Sequence, residues 1–291
     1  MAALLATLTG CAPRVPLNEV RTFTYVLQNY RHGRLDDVAK APHQLAVVDL
    51  SRDGTAKGYF TPAEIARVRA TGKIVLAYFE IGSIESFRTE ARTLPAGLRL
   101  NLWPDWPEEH FVRYWDPRWW DLAVRPRVDQ ALRAGFDGVY LDTPLAYEEI
   151  DLRRVPGESR ASLAARMTGL IVRISRYAKA ARPGFLIVPQ NSPELRLQPG
   201  YVQAIDGVGM EELFFQATGR PCVQDWCREN LAHALALRRL GKAVLATDYA
   251  TRPADVAAAC ASYRRHGLAG NVTVVDLDRV SPPCTATRQG A

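Results

Sequence analysis

The chain has 291 residues, 47% hydrophobic and 23% charged, the balance of a folded globular protein long enough for one large core. No stretch reaches the roughly 18 apolar residues that a membrane-spanning helix needs. The formal net charge is +6, yet the arginines are scattered and no basic run exceeds a pair or two, so a nucleic-acid surface is not expected.

The chain opens on "MAALLATLTGC". An apolar core from Ala2 to Leu8 leads into Leu8-Thr9-Gly10-Cys11. This resembles a bacterial lipobox, in which a small residue precedes the cysteine that is lipidated after signal cleavage. The resemblance implies an exported protein tethered to a membrane through Cys11, in the bacterial cell envelope, although the positive start of a signal peptide is missing. Residues 1–15 are read as signal and tether, residues 16–280 as one folded domain, and residues 281–291 as a tail.

Eight short apolar, β-branched or aromatic runs follow: "FTYVLQN" from Phe23, "LAVVDLS" from Leu45, "IVLAYFEIG" from Ile74, "DGVYLD" from Asp137, "FLIVPQN" from Phe185, "DGVGMEE" from Asp206, "AVLATDYA" from Ala243 and "NVTVVDLD" from Asn271. Their near-continuous apolar character suits parallel strands buried on both faces. Helical patterns lie between most of them. "TPAEIARVRATG" has a Thr cap at Thr61, a first-turn proline and Glu64 three residues after the cap, and it stops at Gly72. In "PRWWDLAVRPRVDQALRAGF", Pro126 should kink or split the helix. The links "GRLDDVAKA" and "SPELRLQPG" are weak, and Ser83 to Asp116 is too long for a plain connection and reads as an aromatic-rich insertion after the third strand. Strands alternating with helices point to an α/β fold, a single (β/α)8 TIM barrel. A doubly wound open sheet lacks its glycine-rich phosphate loop after the first strand.

With Cys11 set aside, Cys222, Cys227, Cys260 and Cys284 allow three pairings. Cys222 with Cys227 closes "CVQDWC", and Cys260 with Cys284 ties the last helix to the tail. A zinc site wants tighter Cys-x-x-Cys spacing or nearby His, which the chain does not offer, and disulfides suit an exported protein.

A barrel of this type places its active site at the C-terminal ends of the strands. Those ends carry Gln28-Asn29-Tyr30, Asp49, Glu80 to Ser83, Asp142, Gln190-Asn191, Glu211-Glu212, Asp248-Tyr249, and Asp276 with Asp278. Packing alone does not predict such an acidic and amide-rich ring. Two runs are alike: Asp137-Gly138-Val139 matches Asp206-Gly207-Val208, and Asp142 falls on Glu211. If Val139, Leu141, Val208 and Met210 face the helices, then Tyr140, Asp142, Gly209 and Glu211 face the barrel axis. Asp142 and Glu211 then flank the mouth at similar height, the equipment for glycoside hydrolysis, with one carboxylate ionised and the other held protonated. The choice of Glu211 over Glu212 rests on register, and one bulge reverses it.

Aromatics near predicted loops, Tyr25, Tyr30, Trp103, Trp106, Tyr114, Trp115, Trp119, Trp120 and Tyr147, offer flat faces for sugar rings, with the insertion's Trp103, Trp106 and Trp115 the better candidates and at least one of Trp119 and Trp120 assigned to the core. The expected substrate-binding set is Tyr30, Asp49, Glu80, Trp115, Tyr140, Asn191, Asp248 and Tyr249. No loop has regularly spaced oxygen ligands, so no metal is expected.

Taken in order, "VLAYFEIGSIESFR", "YWDPRWWDL", "GFDGVYLDTPLAYE", "PQNSPEL" and "DGVGMEELFF" resemble glycoside hydrolase family 114, the endo-α-1,4-polygalactosaminidase group, across nearly the whole chain. The resemblance implies a barrel enzyme, exported and free of cofactors, that cuts α-1,4-linked galactosamine polymers. It places a nucleophile at Asp142 and an acid/base at Glu211. After the third strand the pattern departs: Gly82 is followed by Ser83-Ile84-Glu85 and preceded by Glu80, which leaves the roles of Glu80 and Glu85 open. The expected partner is a polysaccharide, acted on by a monomer. The alternative is a non-catalytic carbohydrate-binding lipoprotein on the same barrel.

Overall fold

The computed structural model describes residues 14–217 and 219–284. Cys11 lies outside them. The described residues form eleven strands, which fall into a barrel and a side sheet. The barrel strands are β1 (Phe23–Val26), β2 (Leu45–Asp49), β3 (Ile74–Glu80), β7 (Gly138–Asp142), β8 (Leu186–Pro189), β9 (Gly207–Glu211), β10 (Ala243–Tyr249) and β11 (Ala269–Thr273). All neighbours are parallel, in the orders β1-β2-β3-β7-β8 and β9-β10-β11.

Two seams close the ring. Gln190 bridges Gly209 between β8 and β9, and Thr22 bridges Gly270 between β1 and β11, with the Gly270 N–H on Arg21 O at 3.0 Å. The expected (β/α)8 barrel is therefore the observed one. The last run is the exception: its strand starts at Ala269 and ends at Thr273, so Asp276 lies beyond it in a turn and Asp278 in the irregular segment that follows. Val274 and Val275 extended the apolar pattern past the point where pairing with β10 stops.

The alternation read from the sequence holds. Val139, Leu141, Val208 and Met210 pack in the outer layer under the helices, while Tyr25, Leu76, Tyr78, Tyr140, Val188 and Leu245 fill the barrel interior. Gly209 is required there, because a Cβ would overlap the Tyr140 hydroxyl, whose ring reaches across from β7. The paired Asp-Gly-Val runs share a device at the opposite face. Asp137 accepts the Val75 N–H at 2.9 Å, and Asp206 accepts the Ile187 N–H at 2.8 Å. Each aspartate thus satisfies the amide of the second residue of the neighbouring strand and fixes the register that puts Asp142 and Glu211 at the mouth.

Thr61 and Glu64 close the expected capping box ahead of the Pro62–Arg69 helix. Pro126 has no N–H to give to Leu122, and the helix widens into a π turn over Trp120–Val124 before running on from Arg125 to Ala134. The insertion forms an antiparallel sheet, β4 (Ser83–Glu85), β5 (Arg99–Trp103) and β6 (Trp106–Val112), in the order β4-β6-β5. Cys222 is bonded to Cys227 and Cys260 to Cys284. No described helix is long and apolar enough to cross a membrane.

Candidate active site

Asp142 ends β7 opposite Glu80 on β3. The Tyr78 hydroxyl donates to its Oδ2 at 2.5 Å, and the Thr143 N–H donates to its Oδ1 at 2.6 Å. Burial pushes its acid up to about 6; those two bonds pull it down and the Glu80 charge pushes it up.

Glu211 ends β9. It accepts from the Tyr249 hydroxyl and from Gln190 Nε2, both at 2.5 Å, and its own N–H donates to Asn191 Oδ1 at 2.9 Å. Burial first, then the charge of Asp142, push it up to about 7. Glu212 takes another direction: its backbone is left-handed (φ 58°), and its carboxylate accepts the Ala217 N–H at 3.0 Å in the following loop. The register therefore turns Glu211, not Glu212, toward the barrel axis.

Beneath the pair lies a floor of phenols. Tyr25 and Tyr140 pack with ring centroids 5.2 Å apart, and the Tyr25 hydroxyl donates to Gln190 at 3.0 Å. Tyr140 is fully buried, and its hydroxyl has no partner among the described residues. Burial holds Tyr25, Tyr78, Tyr140 and Tyr249 well above the ordinary phenol range, so they remain neutral donors. Two partly exposed carboxyls, both raised and set over neutral donors, can protonate a leaving oxygen and attack or stabilise the carbon it leaves.

The sequence model of glycoside hydrolase family GH114 matches residues 6–289. The chain belongs to this family. It is a glycosidase, and it is similar to an uncharacterized protein of Deinococcus radiodurans, 34% identical over 279 residues that cover 94% of this chain and 86% of the relative. An uncharacterized protein of Thermotoga maritima is 30% identical over 75% of this chain and 68% of its own length. Among solved structures, Aspergillus fumigatus Ega3 in complex with galactosamine superposes with a TM-score of 0.72 at 17% identity, over 92% of this chain and 96% of the other. A variant of the glycoside hydrolase domain of PelA from Pseudomonas aeruginosa gives 0.70 at 17% identity, over 89% and 96%. At that identity the two likenesses establish the fold.

In this family 114 barrel several expected sugar ligands have protein partners already. Asp49 is gripped by both Arg88 nitrogens at 2.9 and 2.8 Å and accepts the Ser51 N–H. Glu80 is fully buried against Arg127 at 3.0 Å and Arg88 at 3.3 Å. Asp248, also fully buried, accepts the N–H groups of Phe214 and Phe215 and the Tyr263 hydroxyl, each at 2.7 Å. It clamps the loop after β9. The Tyr30 hydroxyl is taken up by Val26 O and the Asp49 N–H. Asn191 holds the seam beside Glu211. Trp115 sits in the outer layer, edge-on to Tyr114, with the Arg113 and Arg166 guanidinium groups 6.0 and 5.8 Å from its ring. Trp106 is 48% exposed, whereas Trp119 is core, its indole donating to Ile81 O at 2.9 Å. Tyr25 and Tyr114 are buried and present no face to a sugar.

Sequence reasoning missed Tyr78, Arg88 and Glu109. Tyr78 was findable, because it lies two residues before Glu80 on a strand and so shares its face. Arg88 and Glu109 lie in the insertion, where no periodicity says which side chains turn toward the barrel.

Proposed function

We propose that this glycosidase cuts α-1,4-linked galactosamine polymers internally by a retaining mechanism, with Asp142 as nucleophile and Glu211 as acid/base. The observation that carries this reading is the pair itself. Asp142 ends β7 and Glu211 ends β9, both toward the barrel axis; burial pushes both acids up and the Asp142 charge pushes Glu211 further, which favours one ionised and one protonated carboxyl. In the first step Glu211 gives its proton to the leaving glycosidic oxygen while Asp142 bonds to the anomeric carbon. In the second, Glu211 takes a proton from water, which displaces Asp142. Tyr249 and Gln190 hold the Glu211 carboxyl, and Tyr78 and the Thr143 N–H hold Asp142.

A cationic amino sugar suits this mouth. Besides the pair, Glu85 stands there, partly exposed and raised to about 8 chiefly by burial. An ammonium placed beside Glu85 and the pair favours their ionised forms and is attracted in turn. The test is hydrolysis of a partly deacetylated α-1,4-galactosamine polymer by the fragment starting after Cys11, with products sized by mass spectrometry. Mixed short oligosaccharides support internal cleavage. No cleavage of this polymer, with cleavage of another, overturns the substrate.

The same two acidities set a pH profile. The productive form has Asp142 ionised and Glu211 protonated. Its population rises as pH climbs through about 6 and falls as pH passes about 7. A narrow bell in kcat/KM centred between those values is expected from initial rates across pH 4–9 buffers. A rate still climbing at pH 9 would remove Glu211 as the acid.

Export and a lipid on Cys11 fit the two disulfides, since such bonds persist in oxidising compartments. Metabolic labelling with a fatty acid in a bacterial host should mark the wild-type protein and not Cys11→Ser. Equal labelling, or none in either, contradicts the anchor.

A further inference from the structure

The hairpin inserted after β3 brings a buried carboxyl to the back of Asp142. Glu109 lies on β6 opposite Glu85 on β4 and is 7% exposed. Its Oε1 accepts a hydrogen bond from the Ser83 hydroxyl, and Thr143 Oγ1 lies 3.5 Å from the same oxygen. The Ser83 and Thr143 hydroxyls are hydrogen-bonded to each other at 2.7 Å. Thr143, directly after Asp142, is left-handed with φ 62°, a conformation that a β-branched residue rarely adopts. That conformation turns its N–H onto Asp142 Oδ1 at 2.6 Å. Its carbonyl packs on Gly82, where a Cβ would overlap it. Strain of this kind persists only where the surroundings over-determine it. The surroundings here are Gly82, Ser83 and Glu109.

We propose that Glu109 is a positioning residue for Asp142: through the Ser83 and Thr143 hydroxyls it locks Thr143 in the left-handed conformation that aims the Thr143 N–H at the Asp142 carboxylate. This rests on the reading of Asp142 as nucleophile. Burial and the Asp142 charge push Glu109 up to about 9; Glu85 and Glu80 push the same way, and the Ser83 bond pulls back. At neutral pH Glu109 is therefore the uncharged acid. An uncharged acid still accepts through its carbonyl oxygen, so it holds the Ser83 and Thr143 hydroxyls without setting a second negative charge beside the nucleophile. The other groups that face Asp142 are Tyr25, Tyr78, Glu80, Arg88, Tyr140 and Glu211, and the proposal alters none of them.

The test titrates the Asp142 carboxyl by carbon-13 NMR in the folded enzyme, which needs no substrate. Ser83→Ala and Glu109→Ala release Thr143 and loosen an N–H bond that stabilises the ionised form. The Asp142 titration should then move up by about half a unit or more in both. Glu109→Gln has the same shape, is neutral, and keeps the accepting oxygen, so it should restore the wild-type titration. On a cleaved substrate, Ser83→Ala and Glu109→Ala should lower kcat by about 10-fold with little change in KM, and shift the acid limb by the same amount as the titration. An Asp142 titration unmoved in both alanine variants overturns the proposal. So does a Glu109→Gln that behaves like Glu109→Ala. Thermal melts establish that Ser83→Ala, which loses one oxygen, is folded. Failure of the wild type to cleave an amino-sugar polymer would count against the substrate and leave the titration result to decide the role of Glu109.

Discussion

Asp142→Asn and Glu211→Gln are each expected to lower kcat by about 10²–10⁴-fold, while Glu212→Gln stays within a few-fold of wild type. Asn cannot supply the anionic oxygen that attacks or stabilises the anomeric carbon, and Gln cannot supply a proton to the leaving oxygen. Both substitutions keep size and hydrogen-bonding shape, so the Tyr78, Tyr249 and Gln190 contacts can remain and the loss reports chemistry, not unfolding. The control is set by geometry, since the Glu212 carboxylate is spent on the Ala217 N–H in the loop. Initial rates on one polymer, with mass spectrometry of the products, check all three variants. Binding of the polymer retained by the inactive variants separates lost catalysis from lost recognition. Activity surviving in Glu211→Gln but lost in Glu212→Gln would reverse the assignment of the acid.

Arg88→Ala is expected to destabilise the fold by about 3–5 kcal/mol, because it removes the cation from a buried cluster and leaves the carboxylates behind. Arg88 is 4% exposed and reaches Asp49, Glu80 and Glu85, the last at 2.6 Å. Arg127 still pairs with Glu80 and Glu90, which compensates one side of the cluster only. Denaturant unfolding of wild type and variant measures the difference. The damage should extend to activity, because the Arg88 charge also favours the ionised form of Asp142. A shift within 1 kcal/mol, with activity intact, would mean that the cluster simply neutralises itself by taking up protons.

How much of this was legible in the sequence follows from the range of each signal. Eight apolar runs, the capping box before Pro62, the break at Pro126 and the alternation that sends Asp142 and Glu211 inward are local properties. Each is fixed by a period of two or 3.6 residues, or by a side chain within three residues of the backbone it satisfies. The repeated Asp-Gly-Val marked two strands that begin alike, and a common start with a common period places the two carboxylates at a common height. The last strand shows the limit of the local pattern, since apolar residues ran on where the pairing partner did not. The partners of the charged groups were not legible. Asp49 and Asp248 read as open sugar ligands, and the fold closes one on Arg88 and the other on backbone amides 33 and 34 residues away. Glu109 comes to Asp142 only because an irregular hairpin folds back over the barrel mouth. Periodicity tells which way a side chain points. Which group stands opposite, and therefore which carboxyl keeps its proton, is decided by burial and by contacts between distant segments, and these exist only in the tertiary structure.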